Sequence, residues 1–234
     1  TVLMRSAGCV INDYFDMEFD GNVERTKDRP LVTGIIKPTE ALVLFFFLIF
    51  LSCLLLNWMN LLTIKVAALG LVLATFYPLT KRFFAIPQFF LGLAFSWGIL
   101  MVSAAELNRI NYISIILFAS CFFWILAYDT AYAMSDKEDD LKIGLRSSAL
   151  TFGDKVVHFF ICFQILSLAI WSSLGYILNM HPAFYMSSAL WLYLITYQYN
   201  LIKSYDRQNC FLAFKNNNWV GVSLLTGSIL GTSL

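Results

Sequence analysis

The chain has 234 residues, of which 59% are apolar and only 13% are charged, and its formal net charge at pH 7 is +1. Its mean hydropathy is +0.70. This composition excludes a soluble globular domain and indicates a polytopic membrane protein.

Eight apolar stretches are long enough to cross a bilayer as helices. A hydrocarbon core about 30 Å thick requires about 20 mostly apolar residues per helix. The stretches that meet this requirement are 1–19, 39–58, 61–79, 87–105, 111–134, 156–178, 183–202 and 218–234. They predict an all-α, polytopic transmembrane helical bundle that occupies residues 1–234 as a single domain.

The first predicted span ends in an acidic cluster, Asn12-Asp13-Tyr14-Phe15-Asp16-Met17-Glu18-Phe19-Asp20. On a helix, Asn12, Asp16 and Asp20 recur every four residues and share one face. Carboxylates stacked in this way repel each other, and they do so more strongly where the dielectric constant is low. We therefore expect a cation between them, and Mg²⁺ that carries an anionic substrate fits this requirement.

One basic residue, Arg5, lies inside the first span, two turns before Asn12. A charge within a membrane is costly, and it is usually functional or paired. Arg5 is therefore expected either to line a cavity or to brace Asp13 or Asp129, and the sequence leaves both alternatives open.

The fifth predicted span is followed by a second acidic cluster, Asp136-Lys137-Glu138-Asp139-Asp140. Tyr132, Asp136 and Asp140 recur every four residues and share a helical face. Glu138 and Asp139 lie off this face, and we expect both to remain solvated.

Basic residues are distributed unevenly among the loops, because most of the 16 Lys and Arg residues follow the first, third, fifth and seventh spans. Basic loops mark the cytoplasmic side of a membrane protein. We therefore predict that the loops carrying the acidic motifs face the cytoplasm. The five cysteines show no metal-ligand spacing and are expected to be packing residues.

In this order, the motifs resemble the two signatures of the UbiA superfamily of membrane prenyltransferases. The first signature corresponds to Asn12-Asp13-x-x-Asp16-x-x-x-Asp20 followed by Arg25-Thr26-Lys27-Asp28-Arg29-Pro30-Leu31. The second corresponds to Tyr128-Asp129-Thr130 and Asp136-x-x-x-Asp140-x-Lys142-Ile143-Gly144. Two further stretches resemble the branch that prenylates 4-hydroxybenzoate for ubiquinone: Tyr77-Pro78-x-x-Lys81-Arg82 and Phe211-x-Ala213-Phe214-x-Asn216-Asn217-Asn218.

The resemblance implies a bundle of nine helices around a central cavity that opens laterally to lipid. We expect about eight helices here, because the first helix of the family, with part of the aromatic-acceptor pocket, is expected to be missing. The chain alone is therefore expected to be an incomplete catalyst. The implied reaction moves a polyprenyl group from polyprenyl diphosphate to the ring of 4-hydroxybenzoate, ortho to the hydroxyl, and releases diphosphate.

Mg²⁺ is the cofactor that this chemistry predicts, because departure of an allylic diphosphate requires neutralisation of its charge. Mg²⁺ prefers near-octahedral oxygen coordination by carboxylates, waters and substrate phosphates. The expected metal ligands are Asp16, Asp20, Asp136 and Asp140. Asp13 or Asp136 is also expected to assist loss of the phenolic or ring proton.

Basic and aromatic side chains are expected to bind the two substrates. Lys81 is assigned a catalytic role as a charge-assisted donor to the departing diphosphate oxygens. Arg82 presents a planar fork that matches a carboxylate, and the resemblance implies that it binds the aromatic acid. The other expected substrate contacts are Asn12, Arg25, Arg29 and Lys142, together with the rings of Tyr77, Tyr128 and Tyr132, which would stabilise an allylic cation.

Several alternatives remain open at the level of sequence. Within the superfamily, the acceptor could be a haem, a naphthoate or a homogentisate. A membrane transporter that uses the carboxylates for cation coupling and a lipid-binding or scaffolding protein are functions of other classes. The expected partners are the two substrates and membrane lipid, with no nucleic acid, and the sequence does not predict an oligomeric state.

Overall fold

Helices provide all the regular secondary structure of residues 1–23 and 25–233, the part of the chain that this computed structural model describes. The helices are α1 (Val2–Asp20), α2 (Pro38–Leu56), α3 (Leu61–Phe76), α4 (Gln88–Leu107), α5 (Tyr112–Ile143), α6 (Ser148–Phe152), α7 (Val156–Ile177), α8 (Tyr185–Ile202) and α9 (Arg207–Ser233). Short 3₁₀ helices occupy Tyr77–Arg82, Gly153–Lys155 and Pro182–Phe184. The predicted all-α class is confirmed.

Each of the eight predicted spans coincides with a long helix, apart from residue 234, which lies outside the described residues. Five helical segments are long and apolar enough to cross a membrane: Pro38–Leu56, Leu61–Arg82, Gln88–Leu107, Tyr112–Ile143 and Ser148–Ile177. Helices α1, α8 and α9 are not among them. Their polar content explains the difference, since α1 contains the first acidic cluster and α9 contains three consecutive asparagines.

The described chain divides into two compact units. The first unit comprises residues 1–110 and 138–146. In it α1 packs against α2 and α3, and α3 packs against α4. Gly70 is required where α3 meets α4, because a Cβ atom there would lie 2.6 Å from the indole of Trp97, whose Nε1 donates to the carbonyl of Val66 at 2.8 Å.

The second unit comprises residues 111–137 and the chain from 147 onward. Within it α8 packs against both α7 and α9. Two clusters of buried apolar side chains stabilise this unit, one around Phe160 and one around Trp191. The division into two units rests on spatial contacts alone. It does not test the predicted single domain over residues 1–234, which stays a prediction.

Helix α2 is apolar on nearly all sides and buries only Ala41 and Phe45. Large side chains along the rest of its surface are exposed, among them Val43, Phe46 and Phe50. A helix that is apolar all round belongs in the core of a large protein or in a membrane. Because little protein covers α2, its outer surface suits contact with lipid.

Candidate active site

The first acidic cluster lies on the last turns of α1, which continues to Asp20. As predicted, Asn12 and Asp16 share a face, and Nδ2 of Asn12 donates to Oδ2 of Asp16 at 3.1 Å. The side chains of Asp16 and Asp20 are buried, with 4% and 6% of their surface exposed. Buried carboxylates require cationic partners.

Two basic side chains of the first unit supply these partners. Nζ of Lys81 lies 2.6 Å from Oδ2 of Asp16. Nη1 of Arg29 lies 2.7 Å from Oδ2 of Asp20 and also 2.7 Å from Oδ1 of Asp13. The structure therefore brings Asp13, Asp16, Asp20, Lys81 and Arg29 together, and two of the four cations predicted to bind diphosphate contact these aspartates.

The second oxygen of Asp16 is a buried acceptor without a hydrogen-bond partner among the described residues. Leaving such an acceptor unsatisfied costs about 1–3 kcal/mol or more. A bound donor or cation would relieve this cost. Carboxylate oxygens are the hard ligands that Mg²⁺ prefers, and one or two carboxylates with waters and phosphate oxygens suffice for this ion.

Within 1–23 and 25–233, no group of three or more His, Cys, Asp or Glu side chains is arranged to hold a metal ion by itself. Asp16, Asp20, Asp136 and Asp140 as metal ligands stay a prediction.

The 3₁₀ helix Tyr77–Arg82 positions the two basic residues that were expected to bind substrates. Lys81 reaches Asp16, as described above. Nη2 of Arg82 donates to the carbonyl of Phe15 at 2.6 Å, and its guanidinium lies 5.2 Å from the centroid of the Phe19 ring. Arg82 is exposed, and one end of its fork is engaged with α1.

Arg146, for which no role at the site was predicted, anchors this 3₁₀ helix. Its backbone N–H donates to the carbonyl of Lys81 at 3.0 Å, and its Nη1 donates to the carbonyl of Phe83 at 2.6 Å. The preceding residue, Leu145, donates to the carbonyl of Asp140 at 3.0 Å. The end of the second acidic cluster therefore lies, within the first unit, beside the turn that carries Lys81.

The second acidic cluster lies on α5, which continues beyond the predicted end of the span at residue 134 to Ile143. Asp136 is buried, and Nη2 of Arg207 lies 3.9 Å from its Oδ1. Our expectation for Asp139 is wrong, because Asp139 is 6% exposed and pairs with Lys142 at 3.7 Å. A position off the face of Asp136 and Asp140 therefore does not place Asp139 in solvent, whereas Glu138 is exposed as expected.

Aromatic rings follow one face of α5 towards Asp136. The centroid of the Phe214 ring of α9 lies 5.9 Å from that of Tyr128 and 4.8 Å from that of Tyr132. We name these three rings the aromatic column. All three are half-buried, and Tyr128, Tyr132 and Asp136 stand one turn apart on the same helix.

Two further candidates are in the first unit. Tyr77 packs edge-on against Phe95, with 6.2 Å between their centroids. The guanidinium of Arg5 lies 5.0 Å from the centroid of the same Phe95 ring, and its Nη1 donates to Sγ of Cys9 at 3.2 Å. Asp13 is paired with Arg29, and both alternatives for Arg5 stay predictions. Arg25 is exposed near Asp13.

Comparison with known protein families yields a match over most of the chain. The profile of the UbiA prenyltransferase family matches residues 1–221. A protein of Nitrosospira multiformis named 4-hydroxybenzoate octaprenyltransferase is 48% identical over 231 residues, which cover 98% of this chain and 79% of that protein. A protein of the same name from Dechloromonas aromatica is 48% identical over 232 residues, covering 98% and 78%.

Solved structures show the same fold. The apo structure of a UbiA homologue from Aeropyrum pernix K1 superposes with a TM-score of 0.85 at 22% identity, covering 98% of this chain and 86% of that one. A UbiA homologue from Archaeoglobus fulgidus, bound to GPP and Mg²⁺, gives a TM-score of 0.73 at 17% identity, with coverages of 97% and 83%.

Proposed function

Because the chain belongs to the UbiA prenyltransferase family, we propose that it transfers a polyprenyl group to the ring of 4-hydroxybenzoate. The donor is a polyprenyl diphosphate, the new bond forms ortho to the phenolic hydroxyl, and diphosphate is released, as a step of ubiquinone biosynthesis. The protein is an integral membrane enzyme. The observation that carries this function is the 48% identity, over 98% of the chain, to proteins named for this reaction.

The acidic face of α1 is suited to holding the charged end of the donor. Asp16 offers a buried oxygen without a hydrogen-bond partner among the described residues, and we assign it, with Asp20, Asp136 and Asp140, to Mg²⁺ binding. When bound, Mg²⁺ supplies positive charge that neutralises the diphosphate as a leaving group. Support for this metal comes from the oxygen donor set and from the Mg²⁺-bound homologue of the same fold.

Lys81 and Arg29 assist departure of the diphosphate. Both already lie 2.6–2.7 Å from carboxylate oxygens of α1, so oxygens bound beside those carboxylates fall within their reach. Charge-assisted hydrogen bonds to developing negative charge are worth more in a water-excluded site than in bulk water. Arg25, Lys142 and Asn12 are assigned to the same anionic group.

The aromatic column is suited to the other half of the reaction. After the carbon–oxygen bond loosens, the allylic carbon carries positive charge, and an aromatic face in a desolvated site stabilises a cation by about 2 kcal/mol or more. Tyr128 and Tyr132 are assigned to this role, with Tyr77. Asp13 or Asp136 accepts the proton that the acceptor loses.

Arg82 is assigned to the carboxylate of 4-hydroxybenzoate. One end of its guanidinium is held by the carbonyl of Phe15, which leaves further N–H donors of the fork for a ligand. Arg5 is the alternative, because it is a cation within a predicted span and lies against an aromatic ring.

The reaction is tested with membranes that contain the full-length protein, incubated with a polyprenyl diphosphate and a panel of aromatic acceptors. The panel includes 4-hydroxybenzoate, a naphthoate, homogentisate and a haem, and products are identified by mass spectrometry. We expect ortho-prenylated 4-hydroxybenzoate, loss of product with EDTA and its recovery with excess Mg²⁺. Preferential prenylation of another acceptor would overturn the proposed substrate, and activity unaffected by chelation would overturn the proposed metal.

We also propose that the protein lies in a bacterial inner membrane with both acidic clusters at the cytoplasmic face. The uneven distribution of basic loops supports this orientation. Cysteines introduced at the exposed residues Lys37 and Glu106 would report it. A membrane-impermeant thiol reagent applied to intact cells should label position 106 and spare position 37, and the reverse pattern would contradict the orientation.

A further inference from the structure

A buried network of side-chain amides joins four helices of the second unit. Gln164 of α7 donates Nε2 to Oε1 of Gln198 on α8 at 3.0 Å and to Oδ1 of Asn217 on α9 at 3.3 Å. Its Oε1 accepts a hydrogen bond from Nε1 of Trp191 at 2.9 Å. From α5, Trp124 donates Nε1 to the same Oδ1 of Asn217 at 2.9 Å.

The network constrains how the helices meet. Gln164 and Gln198 are fully buried, and Asn217 is 5% exposed. A buried amide is costly unless its donors and acceptors are satisfied, so only one register of the four helices is permitted. Between helices in lipid, polar side chains of this kind provide specific contacts that apolar packing does not.

The network meets the aromatic column at two points. The ring of Trp124 contacts Tyr128 edge-on, with 5.7 Å between centroids. On α9, Asn217 lies three residues after Phe214, on the same helical face, and its Nδ2 donates to the carbonyl of Ala213 at 2.9 Å. A substitution of Asn217 is therefore expected to affect Tyr128 through Trp124 of α5, and Phe214 through the backbone of α9.

We propose that Asn217 is a positioning residue for prenyl transfer, which fixes the aromatic column close to Asp136 and thereby keeps water from the allylic cation. This inference rests on the proposed function. During transfer, the carbon–oxygen bond breaks with its electron pair on diphosphate, a ring carbon supplies the pair for the new carbon–carbon bond, and the ring loses a proton. If water supplies the pair instead, the products are a polyprenyl alcohol, a proton and the same diphosphate.

The ratio of released diphosphate to prenylated acceptor therefore measures how well the cation is shielded. Asn217→Leu removes the polar contacts at similar volume, and Trp124→Phe removes only the indole N–H donor and part of the ring. Asn218→Leu is the matched control, since Asn218 is the next residue of the same helix and is exposed. Each variant is assayed at saturating acceptor in the membrane-embedded full chain.

We expect only a small excess of diphosphate over product in the unmodified chain and in Asn218→Leu. The hydrolysed share should rise by about fivefold or more in Asn217→Leu, and by a smaller factor in Trp124→Phe. Thermal melting and size-exclusion chromatography in detergent establish that each variant is folded.

A ratio of diphosphate to product in folded Asn217→Leu and Trp124→Phe that equals the ratio in the unmodified chain would overturn the inference. If Asn217→Leu does not fold, the ratio in Trp124→Phe decides the question in the same way. An unmodified full-length protein that prenylates no acceptor would overturn the proposed function instead, so the two failures are distinguishable.

Discussion

The two compact units hold their functional side chains by different physical means. In the first unit, the carboxylates of α1 form ion pairs at 2.6–2.7 Å with Lys81 and Arg29. In the second unit, Asp136 stands at the end of an aromatic column that neutral amides support, and Arg207 lies 3.9 Å away. Tight charge pairs suit the anionic leaving group, and rings braced by uncharged groups suit a short-lived carbocation.

The largest effect is expected from Asp16→Asn in the first unit. It removes the charge of the carboxylate with the unsatisfied oxygen and leaves Lys81 without its partner. Turnover should fall about 10³-fold, measured as prenylated product under saturating substrates, and the Mg²⁺ concentration for half-maximal activity should rise. Glu18→Gln, an exposed change on the same helix, should leave both quantities unaltered. Full activity of Asp16→Asn would contradict the assignment of Asp16 to the reaction.

Asp136→Asn tests whether the second unit contributes charge as well as rings. We expect a fall in turnover of about 10²-fold, with Glu138→Gln, an exposed neighbour on α5, as the control. Unchanged turnover in Asp136→Asn would confine the acidic chemistry to the first unit and would sharpen the contrast between the units.

A pair of variants identifies the carboxylate receptor within the first unit. Because a hydrogen bond to a charged group contributes about 1.5–3 kcal/mol, Arg82→Ala should raise the KM for 4-hydroxybenzoate about 10- to 100-fold. The KM for the polyprenyl diphosphate should stay the same. If Arg5→Ala produces this selective loss and Arg82→Ala does not, the assignment passes to Arg5.

Arg146→Ala should have a smaller effect, because Arg146 acts only through the turn that carries Lys81. Loss of its guanidinium contact with Phe83 removes one hydrogen bond and should lower kcat by roughly tenfold or less, with the KM for the acceptor unaltered. Arg146→Lys should recover part of the loss. The exposed Lys155 provides a control, and Lys155→Ala should behave as the unmodified chain. A change confined to the acceptor KM would contradict this account.

The sequence predicted those features that depend on periodicity along one helix. A repeat of four residues placed Asn12 and Asp16 on one face of α1, and apolar length located the long helices. The same reasoning was wrong at Asp139, because a periodicity shows that this side chain lies off the face of Asp136 and Asp140 but does not show which side chains pack against it. The start of α9 at Arg207 was likewise obscured, since polar residues precede its apolar half.

Contacts between segments that are far apart in the chain could not be predicted from the sequence. Arg146 follows Asp140 by only six residues, yet its role depends on two carbonyl groups more than sixty residues away. The hydrogen bond between Gln164 and Asn217 joins two residues that are 53 positions apart in the chain. A lone glutamine in an apolar span was nevertheless a usable signal, because an amide in that environment must find a partner.

Helix α2 has a consequence for handling the protein. With Phe46 and Phe50 more than half exposed, acyl chains of the bilayer must complete the packing of this helix. Its local stability is therefore a property of the lipid and protein together. We expect delipidation to accelerate hydrogen exchange in α2 before the ion pairs of α1 are lost. The choice of detergent or lipid should therefore change the local stability of α2 before that of α1.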